Sequence, residues 1–174
     1  APGGVAIVDP AMADNGKLYS GFDEDYVRAI GSLAGKADII LPNVTEAAIL
    51  SGLPYQENID INYVNQLLNG LNHPCAVLTG VDFDEDSTGI VLQEGTVQHE
   101  YRHKRIGNGC HGTGDIFAAV FTGALMQGKN RLDAAKIAAD FTCRCIKNTV
   151  NAPAHWYGVK FEPLLPELME MPGR

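Results

Sequence analysis

Apolar residues along this chain fall into two kinds of run, and the two kinds alternate. Short, nearly unbroken stretches closed by a polar or breaking residue read as strands buried on both faces. These are Val5-Ala6-Ile7-Val8 before Asp9-Pro10, Ala37-Asp38-Ile39-Ile40-Leu41 before Pro42, and Cys75-Ala76-Val77-Leu78-Thr79. Gly89-Ile90-Val91-Leu92, followed by Val97 to His103, reads as a hairpin. Between these runs, Phe22 to Leu33, Thr45 to Leu53, Ile61 to Leu71, Thr113 to Gln127, Leu132 to Val150 and Glu162 to Glu170 have the length or period of helices. Strand and helix alternate, which predicts the α/β class with a mostly parallel sheet flanked by helices.

Ligands in such sheets bind beyond the carboxyl ends of the strands, and three of these ends carry polar groups: Asp9, Asn43 with Glu46, and Thr79 with Gly80. The most informative segment lies further on, where Gly112-Thr113-Gly114-Asp115 stands directly before an apolar run from Ile116 to Met126. Glycines let the backbone fold tightly and bring amide N–H groups against a ligand, and a helix N-terminus adds partial positive charge, so the place suits a phosphate. Asp115 is a poor anion binder but is well placed to take a proton from a hydroxyl that attacks a phosphoryl group. The competing reading makes it an ordinary first-turn helix acid beside a tight loop. Asn43-Val44-Thr45-Glu46 also has two compatible readings, a helix capping box and a start that aims Glu46 at a metal-bound water.

Gly107, Gly109 and Gly112 match the dinucleotide-binding spacing, but the residues before them, His99 to Arg105, are too polar for the buried strand that this motif requires. No Walker-type loop occurs, and the acidic run Asp82 to Asp86 lacks the glycine and glutamate of a calcium loop. With 174 residues and 45% hydrophobic content the chain is long enough for one domain with a sizeable core, and no stretch is long and apolar enough for a membrane span. The net charge of −8 disfavours a nucleic-acid surface. The local cluster Arg102-His103-Lys104-Arg105 reads as either a face for ATP phosphates or a solvated strand end. Cys75, Cys110, Cys143 and Cys145 show no metal spacing and read as free thiols. Cys110, near a helix start, is either reactive or simply packed.

Asp9-Pro10 at a strand end, Gly16-Lys17-Leu18-Tyr19, Pro42-Asn43-Val44-Thr45-Glu46-Ala47, Thr79-Gly80 and Gly112-Thr113-Gly114-Asp115, in this order, resemble the ribokinase-like superfamily, and most closely its pyridoxal and pyridoxamine kinases. Trp156 to Val159 and Phe161-Glu162 are similar to that family too. The resemblance implies ATP-dependent transfer of the γ-phosphoryl group to the hydroxymethyl group of a vitamin B6 compound (pyridoxamine, pyridoxal or pyridoxine) in a cytoplasmic enzyme. It makes Asp115 the catalytic base and Gly112, Thr113 and Gly114 an anion hole. It gives Asp9, Asn43 and Glu46 the Mg²⁺, largely through water, and Thr79 and Gly80 the ATP phosphates. Adenine is expected near Arg105 to Asn108 and the helix from Leu132.

Family members begin with a segment that supplies further strands and much of the substrate pocket. Residues 1–174 are therefore expected to be the C-terminal, nucleotide-binding part of such a domain, poorly active alone, with an open sheet edge that favours a homodimer. Hydroxymethylpyrimidine kinases share the pattern but usually carry cysteine where Asp115 stands, and a non-catalytic nucleotide-binding module is the alternative from another class. A small-molecule substrate is expected, with no nucleic acid and no membrane.

Overall fold

The structure, a computed structural model, describes residues 3–107, 110–152 and 157–169. Along the chain run β1 (Ile7–Val8), β2 (Ala13–Asp14), β3 (Lys17–Leu18), α1 (Glu24–Ala34), β4 (Ile39–Ile40), α2 (Val44–Ser51), α3 (Ile61–Leu71), β5 (Cys75–Asp82), β6 (Ser87–Glu94), β7 (Val97–Lys104), α4 (Thr113–Met126), α5 (Arg131–Val150), a 3₁₀ turn (Glu162–Leu164) and α6 (Leu165–Met169). They form two compact units that divide between Lys104 and Arg105.

The first unit holds a sheet in the order β1-β4-β5-β6-β7. The pairings β1–β4 and β4–β5 are parallel, and β5–β6–β7 is an antiparallel meander. The α/β class expected from the alternating runs is thus the one adopted, and the parallel part carries the polar strand ends. Unbroken apolar runs suit β4 and β5 because both faces are covered, leaving Ile39, Ile40, Ala76, Val77 and Leu78 almost without solvent contact. One core cluster joins Val44, Ala47 and Ala48 of α2 and Val64, Leu67 and Leu68 of α3 to Ile40, Ala76, Leu78 and Val91 of the sheet. Each fully buried Val, Leu or Ile side chain among them contributes roughly 1.5–3 kcal/mol.

The segment after the chain's start differs from expectation. The first apolar run forms only a two-residue strand, and beyond it Ala13–Asp14 and Lys17–Leu18 pair as a hairpin that the apolar pattern did not suggest. Its turn is Asn15-Gly16, both with positive φ (49° and 75°), a pair suited to a two-residue hairpin loop.

In the second unit α4 and α5 pack on one another around Phe117, Phe121, Ala134, Ala135, Ala138 and Phe141. The helix expected from Glu162 to Glu170 begins instead as a 3₁₀ turn, because Pro166 has no N–H to return to the carbonyl of Glu162. Among the described residues, no helix is long and apolar enough to cross a membrane.

Candidate active site

The first unit brings its polar strand ends together. Asn43 forms a parallel bridge with Thr79, and the Thr79 N–H donates to the Pro42 carbonyl at 2.9 Å, so the chain after β4 runs beside β5. Gly80 follows with φ +66° at a register shift between Thr79 and Val81, a conformation natural to glycine, and its Cα faces open space.

Asn43 caps α2, its Oδ1 accepting the Glu46 N–H at 2.9 Å, while Glu46 Oε2 accepts the Asn43 N–H at 2.8 Å. The capping box is therefore present. It also has long-range members. Glu46 Oε1 accepts the Met12 N–H at 3.1 Å, Asn43 Nδ2 donates to the Ala13 carbonyl at 2.8 Å, and the Thr45 hydroxyl accepts the Gly16 N–H at 3.0 Å. Three polar side chains of one helix start, Asn43, Thr45 and Glu46, thus hold the hairpin that follows Asp9-Pro10. The hairpin's Asn15-Gly16 turn was the signal available for it in the sequence.

Glu46 is 3% exposed. Burial pushes its carboxyl up to about 7; the amides of Asn43 and Met12 oppose this and the nearby Asp9 carboxylate adds to it. Among the described residues no group of three or more His, Cys, Asp or Glu assembles to hold a metal. What is present is a set of hard oxygens, Asp9, Glu46 and the Asn43 amide, with each Glu46 oxygen already oriented by one backbone donor. Such a set fits a cation that keeps most of its water, which is the behaviour of Mg²⁺.

The second unit carries Gly112 to Asp115 at the start of α4. Helices α1, α2, α3 and α5 each begin with Asp or Asn (Asp23, Asn43, Asp60, Asn130) whose side chain accepts a first-turn amide. α4 does not: its N-cap is Gly112 in the left-handed region (φ +85°), and no side chain caps it. Thr113 and Gly114 open the helix, and nothing lies within 4 Å of where a Gly114 Cβ would stand. Asp115 is exposed in the first turn, its Oδ2 3.9 Å from the place a Gly112 Cβ would occupy.

Other expected residues fare differently. Arg105, exposed, opens the second unit, and Asn108, expected near adenine, lies outside the described residues, as do Gly109 and Trp156. Arg102 of the basic cluster is engaged on the sheet: it pairs with Glu100 at 2.5 Å, and its guanidinium carbon sits 4.1 Å from the centre of the Phe83 ring. Cys110 is half-buried just before α4, and burial raises the Cys143 and Cys145 thiols to about 11, which keeps them inert at neutral pH.

A family model for phosphomethylpyrimidine kinase matches residues 3–159. The chain belongs to that family. It is 27% identical over 160 residues to the hydroxymethylpyrimidine/phosphomethylpyrimidine kinase of Haemophilus influenzae, covering 86% of this chain and 58% of that protein. Its fold matches the crystal structure of pyridoxal kinase from Lactobacillus plantarum with a TM-score of 0.81 at 34% identity, over 94% of this chain and 60% of that one. A third match is the pyridoxal kinase of Staphylococcus aureus in complex with AMP-PCP, with a TM-score of 0.70 at 25% identity, over 82% of this chain and 52% of that one. The chain thus spans roughly half to three-fifths of these relatives' lengths. The ribokinase-like resemblance read from the motifs is borne out, and within it both B6 and pyrimidine kinases stand among the relatives.

Proposed function

We propose that residues 1–174 are the nucleotide-binding part of a cytoplasmic kinase that transfers the γ-phosphoryl group of ATP to the hydroxymethyl group of a vitamin B6 compound. The observation that carries this is the uncapped start of α4. In the other capped helices a side chain covers the helix start and takes the amide three residues on; at α4 Gly112 puts no side chain there, so the first-turn amides, those of Thr113 and Gly114 among them, stay available to an outside anion. Asp115 stands one residue further on, where a base is needed.

In this scheme the substrate hydroxyl oxygen forms a bond to the γ-phosphorus as the bond to the β,γ-bridging oxygen breaks. Asp115 takes the hydroxyl proton, and the Gly112, Thr113 and Gly114 amides stabilise charge on the equatorial oxygens. Thr79 and Gly80 would meet the ATP phosphates, and the segment Arg105 to Asn108 is the one proposed to serve the adenine. Asp9, Asn43 and Glu46 would hold Mg²⁺, which would supply neutralisation of phosphate charge. The AMP-PCP complex of the Staphylococcus relative supports nucleotide binding. The Lactobacillus relative, together with an aspartate where pyrimidine kinases usually carry cysteine, supports the B6 substrate. The family model and the Haemophilus relative favour hydroxymethylpyrimidine as the second reading.

The test measures ADP release by the full gene product containing these residues, with Mg-ATP and, in parallel, pyridoxal, pyridoxamine, pyridoxine or hydroxymethylpyrimidine. Turnover of a B6 compound, lost on Asp115→Asn, is the expected result. Turnover of the pyrimidine alone moves the substrate and keeps the mechanism. No turnover of any alcohol rejects the kinase in favour of a non-catalytic nucleotide-binding module.

A further inference from the structure

The loop that presents the α4 amides has no side-chain cap, so something else must hold its shape. Within the second unit that support is the strap Gly158–Lys160. The Val159 N–H donates to the His111 carbonyl at 3.0 Å. Val159 is buried, and its Cγ1 lies 3.6 Å from where a Cβ on Gly112 would stand. A Cβ on Gly158 would in turn sit 3.6 Å from the His111 oxygen. His111 and Gly112 are therefore tied to the strap by the Val159–His111 hydrogen bond and lie alongside Gly158 and Val159.

The strap is itself clamped by two consecutive side chains of the last turn of α5. Thr149 Oγ1 accepts the Lys160 N–H at 2.7 Å and donates to the Cys145 carbonyl at 2.7 Å. Asn148 Nδ2 donates to the Lys160 carbonyl at 2.9 Å. Both backbone polar groups of Lys160 are thus taken by α5, and Thr149, 7% exposed, is used in both directions. Its donation to Cys145 orients the hydroxyl so that a lone pair faces Lys160.

We propose that Asn148 and Thr149 are positioning residues for phosphoryl transfer: through the strap they set the orientation of His111-Gly112 and hence the aim of the Gly112–Gly114 amides. This rests on the anion-hole reading of α4 above. Neither side chain touches the substrate in this scheme. A donor contributes to transition-state stabilisation only if it points where the charge develops, so loosening the strap lowers kcat and leaves ground-state nucleotide binding nearly unchanged.

The experiment compares wild type, Thr149→Val, Thr149→Ser and Asp115→Asn in the full gene product. Thr149→Val keeps the shape but removes both hydrogen bonds; Thr149→Ser keeps them. The expected result is a kcat about tenfold lower in Thr149→Val with an unchanged KM for ATP, and recovery in Thr149→Ser. A Thr149→Val protein that melts earlier but keeps its kcat makes the strap a purely structural brace and overturns the proposal. Asp115→Asn is the control for the underlying scheme: if it keeps its turnover, the base and anion-hole reading is what has failed. Amide NMR shifts decide independently of turnover. Those of Gly112 and Gly114 are expected to move in Thr149→Val and return in Thr149→Ser, and unmoved shifts reject the coupling even in a catalytically silent protein.

Discussion

The acidic corner of the first unit and the glycine turn of the second are built on opposite principles. At Asn43-Thr45-Glu46, every polar side chain is committed to backbone groups, some three residues away and others about thirty, and the site is buried. At Gly112–Asp115 no side chain caps the helix, the backbone conformation alone shapes the loop, and Asp115 is exposed. A carboxylate held in a low dielectric needs fixed dipoles around it, or it takes up a proton. An anion site needs the reverse, donors that the protein has left unused. The first region is therefore stiffened by hydrogen bonds, and the second is kept open and held by its strap.

Four substitutions test this contrast, from the largest effect to the smallest. Asp115→Asn should lower kcat by about 10³-fold while the Mg²⁺ concentration for half-maximal rate stays put, since a general base accounts for roughly that much. A parallel loss of Mg²⁺ affinity would mean that the two regions are not separable. Gly16→Ala should destabilise the fold by about 2–3 kcal/mol in urea titration, because the residue has positive φ and its new Cβ would meet the Tyr55 ring at 2.6 Å. A smaller cost would show that the hairpin shifts freely and is not held by the α2 network.

Glu46→Gln should cost about 1–2 kcal/mol near neutral pH, because the new NH₂ group must face a backbone donor, Met12 or Asn43, in place of one carboxylate oxygen. It should also change the pH profile. The folded-state value of about 7 lies above the ordinary 4.5, so between these values the folded protein holds a proton that the unfolded chain has released. That stabilisation is full below 4.5 and is lost as pH rises through about 7. Denaturation midpoints across this range should fall for wild type and lie flatter for the variant; matching slopes would remove Glu46 as the titrating group. Gly114→Ala should act in the opposite sense on stability, raising it by about 0.5–1 kcal/mol, because alanine favours the helix and no atom lies within 4 Å of the new Cβ. The same methyl group would stand in the proposed phosphate space, so turnover should fall as the melting temperature rises. Turnover that survives would place the anion elsewhere.

Much of this was legible in the residues. The parallel strands β4 and β5 follow from their apolar runs, the capping box from Asn43 and Glu46, and the glycine start of α4 from Gly112-Thr113-Gly114, where α1, α2, α3 and α5 carry Asp or Asn. These are local properties, set by side-chain shape and hydrogen bonding within a few residues, and the motif order led from them to the family. Less was legible in the β2–β3 hairpin, whose strands are too short for a hydrophobic period to register, although its Asn15-Gly16 turn pointed to it. The shift of Glu46 toward neutrality needed the fold, because desolvation depends on what packs around the residue. The same holds for the attachment of the hairpin to α2 through Met12, Ala13 and Gly16, and for the clamp of Asn148 and Thr149 on the strap beneath Gly112. Each joins groups far apart in sequence or on separate elements, and no local pattern encodes a distance that only the packed chain defines.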